Sequence, residues 1–144
     1  MIDSLPLQWP FDVDRFLREL GSQRGKPIVV LRATLTDPMP CGLLIRTDTA
    51  DNIFVVRGTS AAHARWIFMH ELGHLLLGHE PSWTGLEAKP VFDPREEAEA
   101  EYFADRVAAR LSRNRVRALR KGISEGALGQ LRAAFGSRRE LCRG

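Results

Sequence analysis

The sequence contains little cysteine and no long apolar run. Its two cysteines, Cys41 and Cys142, lie far apart and have no partners at metal-ligand spacing. This pattern disfavours a disulfide framework and is typical of a reducing, intracellular setting. No stretch approaches the roughly 20 apolar residues that cross a bilayer, and the N-terminus has no basic segment followed by an apolar run. We therefore expect a cytoplasmic protein without a signal peptide and without membrane contact.

The length and composition are typical of one soluble globular domain. The chain has 144 residues, of which 44% are hydrophobic and 27% charged. This length is enough to bury one core and too short for two. We expect a single domain over 1–144, with its core at about 12–111 and a basic helical C-terminal region at about 112–144.

The charge is small overall but unevenly distributed. The formal net charge is +3, yet residues 106–144 hold eleven lysines and arginines against two acids, whereas 71–105 hold nine acids against two bases. A basic segment favours contact with nucleic acid or an acidic partner. Phe135 is its one aromatic residue, however, so the segment lacks a platform for stacking bases. We expect a solvated helix surface rather than a nucleic-acid contact.

The first half of the chain predicts one helix followed by three strands. Apolar residues at helical spacing indicate an amphipathic helix over 12–20 that ends at Gly21. Strands are predicted at 28–31, 42–46 and 52–56, the last two forming a hairpin. The proline-rich segment 37–42 is predicted to be a loop.

The second half predicts helices. The first begins after Ser60 as N-cap and runs to about Leu77, with Gly78 as its stop. After a loop, the next begins with a capping box formed by Asp93 and Glu96 and ends near residue 111. From about 115 onward we expect helix interrupted by three glycines, namely Gly122, Gly126 and Gly129.

The first of these helices carries the motif H-E-x-x-H, in which His70, Glu71 and His74 are the defining residues. Residues four apart lie on one face of a helix, so both imidazoles can point at the same ion. Neutral imidazole is a good zinc ligand. A neighbouring carboxylate can take a proton from zinc-activated water. The alternative is a buried polar cluster without metal, which is costly inside an apolar run. The motif therefore predicts one Zn²⁺ per chain, with Glu71 as general base.

A catalytic zinc needs a third protein ligand and one open position. His79 is the nearest candidate along the chain, but the extended metzincin pattern H-E-x-x-H-x-x-G-x-x-H requires a histidine at position 80 and a glycine at 77. Those positions hold Glu80 and Leu77. We therefore expect His79 to lie at the surface or behind a ligand.

The acids of the following helix are the other candidates for third ligand. On a helical wheel, Glu96 and Glu97 flank the buried stripe, whereas Glu99, Glu101 and Asp105 point toward solvent. Glu96 already serves the capping box. Glu97 lies on the side of small residues that allow close approach to the histidine helix, namely Ala100 and Ala104. We therefore predict Glu97 as the third ligand and treat the three outer acids as solvated or paired with arginines.

With these residues in place, the sequence resembles the ImmA/IrrE family of bacterial metallo-endopeptidases. The resemblance covers roughly 42–111 and consists of the strand pair, the H-E-x-x-H helix and the later pattern E-x-x-A-x-x-F-A, which begins at Glu97. The family takes that first glutamate as its third zinc ligand. The chain departs from the family in lacking a proline after this pattern. Family members often carry a helix-turn-helix or sensor domain, and from 144 residues we expect neither.

The resemblance implies an α+β fold of the zincin type, in which a small sheet packs on the H-E-x-x-H helix and a following helix supplies the third ligand. It also implies a gluzincin-like metalloprotease that cleaves a protein partner, a helix-turn-helix repressor above all. For the oxyanion, zinc is the expected stabiliser, with Tyr102, His63 and His79 as options. The alternative function is a zinc-containing regulatory module without proteolytic activity, which binds a repressor or DNA or acts like a toxin.

Overall fold

The computed structural model describes residues 1–34, 40–83 and 90–135. Its helices are α1 (Val13–Arg24), α2 (Ala61–Leu77) and α3 (Pro94–Phe135), preceded by a 3₁₀ turn, Ile2–Ser4. Its strands are β1 (Ile28–Ala33), β2 (Gly42–Arg46), β3 (Asp51–Val56), β4 (Ser82–Trp83) and β5 (Pro90–Val91). The α+β class predicted from the sequence is confirmed. Part of the predicted loop at 37–42, most of the loop before α3, and residues 136–144 of the basic region lie outside the described residues.

The main sheet has the strand order β1-β3-β2. β2 and β3 form the predicted antiparallel hairpin, whereas β1 pairs with β3 in parallel, from Ile28 opposite Asp51 to Ala33 opposite Val56. Every second residue of β3 is buried, because alternate side chains of a strand point to the same face. That face packs against α2. As a result, α2 lies between the sheet and α3.

α1 is longer than the sequence pattern predicted. Asp12 caps its start, but the helix passes through Gly21 and ends at Gly25, which adopts a left-handed conformation with φ 71°. Gly21 is needed for packing instead, since a β-carbon there would lie 3.2 Å from the carbonyl oxygen of Lys26 and 3.3 Å from Cα of Pro27. The prediction of a stop at Gly21 was therefore wrong, because glycine also serves close backbone approach.

Both ends of α2 are as predicted. The Ser60 side chain accepts a hydrogen bond from the backbone N–H of His63, and Gly78 ends the helix with φ 73°. The helix is buried on two sides, which explains why its apolar residues surround it rather than form one stripe. Among the described residues, no helix is both long enough and apolar enough to cross a membrane.

α3 begins with the predicted capping box but does not end near Leu111. Asp93 Oδ1 accepts from the N–H of Glu96 at 2.9 Å, and Glu96 Oε2 accepts from the N–H of Asp93 at 3.2 Å. The helix then continues to Phe135, passing through the three glycines that were expected to interrupt it. All side chains from 115 to 131 are exposed. The second half of α3 is thus a projecting basic arm.

The N-terminal segment contributes to the core, although the sequence placed the core's start at about residue 12. Leu5 and Leu7 are buried in the main apolar cluster. Asn114 of α3 donates to the carbonyl oxygen of Leu7 at 2.9 Å, and Arg110 donates to that of Ile2. These contacts tie the segment to the middle of α3.

Candidate metal centre

The three residues predicted to bind zinc converge in the structure. His70 and His74 are one turn apart on α2, and their Nε2 atoms lie 3.1 Å from each other. Glu97 approaches from α3, with its Oε2 at 3.2 Å from Nε2 of His70 and 3.7 Å from Nε2 of His74. Within the part of the chain that the structure describes, no other group of three ligating side chains is clustered in this way.

The distances between these ligand atoms fit a tetrahedral zinc ion. Zinc–nitrogen bonds of 2.0–2.1 Å place neighbouring ligands about 3.3 Å apart in a tetrahedron. The three distances between the ligand atoms of His70, His74 and Glu97, namely 3.1, 3.2 and 3.7 Å, lie on both sides of this value. Two imidazoles and one carboxylate also form a donor set found in catalytic zinc sites, and they leave one position of four for water or substrate. The residues present therefore suit zinc.

Close packing of α2 on α3 brings Glu97 to the histidines. Gly73 lies between the two histidines, and a β-carbon on it would be 3.3 Å from Cα of Ala100 and 3.1 Å from the ring of Phe103. Ala100 and Ala104 are fully buried at this contact. Small residues on both helices thus let the backbones approach, as the sequence had indicated.

Glu71 lies inside the same cleft, and only 8% of its surface is exposed. Burial, and to a lesser degree the nearby carboxylate of Glu97, raises the pKa of Glu71 to about 8. A cation held by the three ligands would lower this pKa again, because opposite charge favours the ionised carboxylate. A carboxyl group in such a position can both accept and return a proton near neutral pH.

His74 is held in its neutral form. Burial, followed by the neighbouring His70 and His79, lowers the pKa of His74 to about 3. The ring of Phe92 stacks on it, with centroids 3.7 Å apart and planes 15° apart. A neutral imidazole keeps the lone pair that a metal requires. No sequence pattern singled out Phe92, since a lone aromatic residue in a loop usually serves ordinary packing.

His79 lies behind a proposed ligand, which is one of the two places expected for it, and Glu99 makes a contact with it that the sequence did not predict. His79 is only 5% exposed and lies behind His74, with the two Nδ1 atoms 2.9 Å apart. Its Nε2 is 3.0 Å from Oε2 of Glu99. Glu99 also pairs with Arg95 through its other oxygen at 2.9 Å. These hydrogen bonds, with His79 first and Arg95 second, lower the pKa of Glu99.

Trp66 is a further residue of the site whose role the sequence did not reveal. Its ring stacks on His70 at a centroid distance of 5.3 Å, and its Nε1–H donates to Asp105 at 2.9 Å. Asp105 was expected to be solvated like the other outer acids. One signal in the sequence could have indicated this role: Trp66 precedes His70 by four residues, so the two side chains lie one turn apart on the same face of α2.

The cleft above the three ligands has a volume of about 200 Å³. Its wall is formed by the start of β2, the H-E-x-x-H face of α2, and residues Pro90 and Phe92 before α3. None of the three side chains considered for the oxyanion lines it. Tyr102 is 64% exposed on the far side of α3, His63 is exposed near the start of α2, and His79 is buried behind His74. Because none of these three side chains lines the described part of the cleft, the structure supports none of them as the group that stabilises the oxyanion.

A larger cavity, about 910 Å³, lies between α1, β1 and the start of α2. Its lining is mainly apolar, with Arg18, Arg32 and Arg65 among its polar members. It contains none of the clustered ligands and no histidine. The smaller cleft, which contains the clustered ligands and Glu71, is therefore the candidate functional site.

Comparison with known proteins gives one family. Residues 24–121, more than half of the chain, match the family Peptidase M78, described as the IrrE N-terminal-like domain. The matched range contains the whole sheet, α2, and the part of α3 that carries Glu97. No curated protein and no solved structure matches the chain.

Proposed function

We propose that this chain, which belongs to the Peptidase M78 family of IrrE N-terminal-like domains, is a zinc-dependent endopeptidase of the zincin type. One observation carries the proposal: the ligand atoms of His70, His74 and Glu97 lie at tetrahedral distances next to the buried carboxyl group of Glu71. Membership in a peptidase family and the open cleft beside these residues support the same function.

In this proposal the two histidines and Glu97 hold the ion, and Glu71 transfers protons. When bound, zinc supplies a Lewis acid that polarises the scissile carbonyl and activates water. Glu71 accepts a proton from the attacking water at a carboxylate oxygen and then returns it to the leaving amine nitrogen. Phe92 and Trp66 keep the two imidazole planes in place by stacking on them.

We further propose that the substrate is a regulatory protein, and specifically a helix-turn-helix repressor. This choice rests on the resemblance to the ImmA/IrrE family. The cleft is bordered by the start of β2, which is an edge strand of the sheet in the described part of the chain. The free edge of a strand offers backbone groups that pair with an extended polypeptide. Such pairing suits an endopeptidase better than an enzyme for small molecules.

The rival function is a zinc-containing regulatory module that binds a repressor or DNA without cleaving it. The projecting arm of α3, which carries Arg115, Arg117, Arg120 and Lys121, is the feature that favours it. Against it stands Glu71, because a structural zinc site needs no general base beside an open position. DNA binding through the arm should weaken steeply with salt, so the absence of a complex at low salt would dispose of that form of the rival.

The first experiment measures zinc content and cleavage together. Native mass spectrometry of the full chain should give one zinc per chain, and the zinc-loaded protein should cleave a helix-turn-helix repressor encoded beside it. Glu71→Gln should keep the zinc and lose cleavage, because the amide cannot accept the proton. Cleavage that persists at the wild-type rate in Glu71→Gln would refute the proteolytic mechanism.

The second experiment tests Glu97 as a ligand. Glu97→Ala should lower zinc affinity by at least about tenfold, whereas Glu101→Ala, one turn further along α3 and exposed, should leave it unchanged. Removal of a carboxylate ligand loses a bond to the metal, and removal of a solvated one does not. Equal zinc affinity in the two variants would show that the third ligand is another group.

A further inference from the structure

The second ring nitrogen of a zinc-binding histidine normally donates a hydrogen bond that fixes the orientation of the ring. Its usual acceptor is a carboxylate, a backbone carbonyl or water. In this chain Nδ1 of His74 meets a second histidine instead, since Nδ1 of His79 lies 2.9 Å away. His79 in turn meets Oε2 of Glu99 at 3.0 Å through its Nε2.

When both imidazoles are neutral, the chemistry of these three groups leaves one consistent arrangement of protons. An ionised carboxylate only accepts hydrogen bonds, so Nε2 of His79 must carry the hydrogen that points at Glu99. A neutral imidazole has one N–H, and Nδ1 of His79 is therefore an acceptor. The proton between the two Nδ1 atoms then belongs to His74. The Nε2 of His74 is left with its lone pair facing His70 and Glu97.

We propose that His79 and Glu99 are positioning residues, which fix His74 in the tautomer whose Nε2 is free to bind the metal. Neither residue touches the proposed ion. This inference rests on the proposed zinc site. It adds to that site a relay, defined as Glu99–His79–His74, which leads from the surface of α3 to a ligand on α2.

The end of α2 explains how His79 reaches this position. Gly78 turns the chain in a left-handed conformation, and the N–H of His79 then donates to the carbonyl oxygen of His74 at 3.0 Å. The N–H of Gly78 donates to the carbonyl oxygen of Leu75 at 3.3 Å. This pair of bonds is the Schellman motif, in which the residue after the glycine packs against the residue five positions earlier. The usual apolar contact of that motif is replaced here by a contact between two imidazoles.

The relay serves one of the two histidine ligands. The buried Nδ1 of His70 has no hydrogen-bond partner among the described residues, and its ring is held by stacking on Trp66. Arg95 completes the outer end of the relay, because it binds Oε1 of Glu99 at 2.9 Å and leaves Oε2 for His79. Arg95 is highly exposed, so we expect it to contribute little.

The first test reads the tautomer directly in the metal-free protein. Long-range ¹H–¹⁵N NMR spectra of the histidine rings should show His74 with its hydrogen on Nδ1 in the wild type. Glu99→Ala should give a mixture of both tautomers, because nothing then orients His79, and Glu101→Ala should match the wild type. His74 with its hydrogen on Nε2 in the wild type, or a tautomer unchanged by Glu99→Ala, would overturn the relay. Since no zinc is present, this result stands even if the proposed function fails.

The second test measures zinc affinity by competition with a chromophoric chelator. Loss of such an outer partner typically weakens metal binding about 10- to 100-fold, and we expect this range for both Glu99→Ala and His79→Leu. His79→Asn should retain most of the affinity, because its Oδ1 takes the place of Nδ1 and accepts the same hydrogen bond. Glu99 is half-exposed, so its variant tests the relay even if His79→Leu fails to fold.

The outcomes separate the relay from the zinc site itself. A wild-type protein without zinc affinity would refute the proposed function, and the tautomer experiment alone would then decide the relay. A wild type that binds zinc, with Glu99→Ala and His79→Leu binding equally well, would refute the relay and leave the proposed function intact. Equal losses in His79→Asn and His79→Leu would also refute it, since acceptance of the hydrogen bond would then be irrelevant.

Discussion

The α-carbon of Gly42 faces the carboxyl group of Glu71, and a β-carbon at position 42 would lie only 2.6 Å from Oε1. The same atom would lie 2.6 Å from Cγ2 of Ile67, on the preceding turn of α2. The first residue of β2 is therefore shaped around the proposed general base. A larger side chain there requires either Glu71 or the strand to move.

We predict that Gly42→Ala lowers the rate of peptide cleavage by at least about 100-fold, since a displacement of about 1 Å at a reacting group has that effect. Zinc content should remain normal, because the three proposed ligands are elsewhere. The free energy of unfolding should fall by about 1–3 kcal/mol through overpacking. Gly122→Ala on the exposed arm is the control, as nothing lies near its β-carbon. Normal cleavage by Gly42→Ala would contradict the assigned position of Glu71.

The stability of the metal-free protein should depend on pH through two buried groups with opposite signs. The folded state raises the pKa of Glu71 from 4.5 to about 8. Between these two pH values the folded protein holds a proton on Glu71 that the unfolded chain has lost, so the stability that Glu71 contributes falls as the pH rises from 4.5 to 8. The folded state lowers the pKa of His74 from 6.5 to about 3, so the unfolded chain binds a proton there that the folded protein does not. Stability therefore falls on the alkaline side through Glu71 and on the acidic side through His74.

Between pH 4.5 and 6.5 the folded and unfolded states bind equal numbers of protons at these two sites. We predict a plateau of stability in this range, with slopes of up to about 1.4 kcal/mol per pH unit on either side. Chemical denaturation in the presence of a chelator measures the profile. Glu71→Gln should lose the decline above pH 6.5 and keep the acidic one. If the free energy of unfolding of the wild type rose between pH 6.5 and 8, the raised pKa assigned to Glu71 would be contradicted.

Removal of zinc should destabilise the protein. A ligand that binds only the folded state adds about 4 kcal/mol of stability at a thousandfold excess over its dissociation constant. For a chain of this size, that corresponds to a melting temperature about 10 °C higher. Differential scanning calorimetry with zinc and with chelator measures the difference. Glu97→Ala should show a much smaller effect, and a wild type with identical melting curves would argue against the metal centre.

The two halves of α3 should respond differently to the loss of a leucine. Leu111 is buried in the core, whereas Leu119 is half-exposed on the arm. Leu111→Ala should reduce the free energy of unfolding by about 2–5 kcal/mol, while Leu119→Ala should change it by less than about 0.5 kcal/mol. Urea denaturation of both variants tests this. A large loss in Leu119→Ala would mean that the arm is covered in solution.

Several elements could be predicted because their causes are local. The hairpin, both ends of α2, and the capping box of α3 depend on residues within a few positions of one another. The extent of α3 could not be predicted in this way. Its three glycines lower helix propensity, yet each costs only about 1 kcal/mol, and the preceding turns already provide a helix to extend.

In the candidate site, too, the features with local causes could be predicted and the others could not. His70 and His74 must share a face once α2 is helical, and the wheel placed Glu97 toward that face with small residues beside it. The acids that the helical wheel placed toward solvent show what such a wheel cannot predict. It gives the direction in which a side chain leaves the helix but not which residues of other elements the side chain contacts. Glu99 and Asp105 lie outside the buried stripe of α3, yet Glu99 contacts His79 and Asp105 accepts a hydrogen bond from Trp66.

The sequence by itself determined the histidine pair, its neighbouring glutamate and the helix that carries them, because the period of an α-helix converts spacing into direction. Only the tertiary structure decided that β1 lies parallel to β3, that Gly42 faces Glu71, and that His79 stands behind His74. The first two relationships join residues of different helices and strands. The position of His79 depends on the turn at Gly78 and on the burial of the His79 side chain against His74. Their distances follow from how the sheet, α2 and α3 pack together, which no local pattern records.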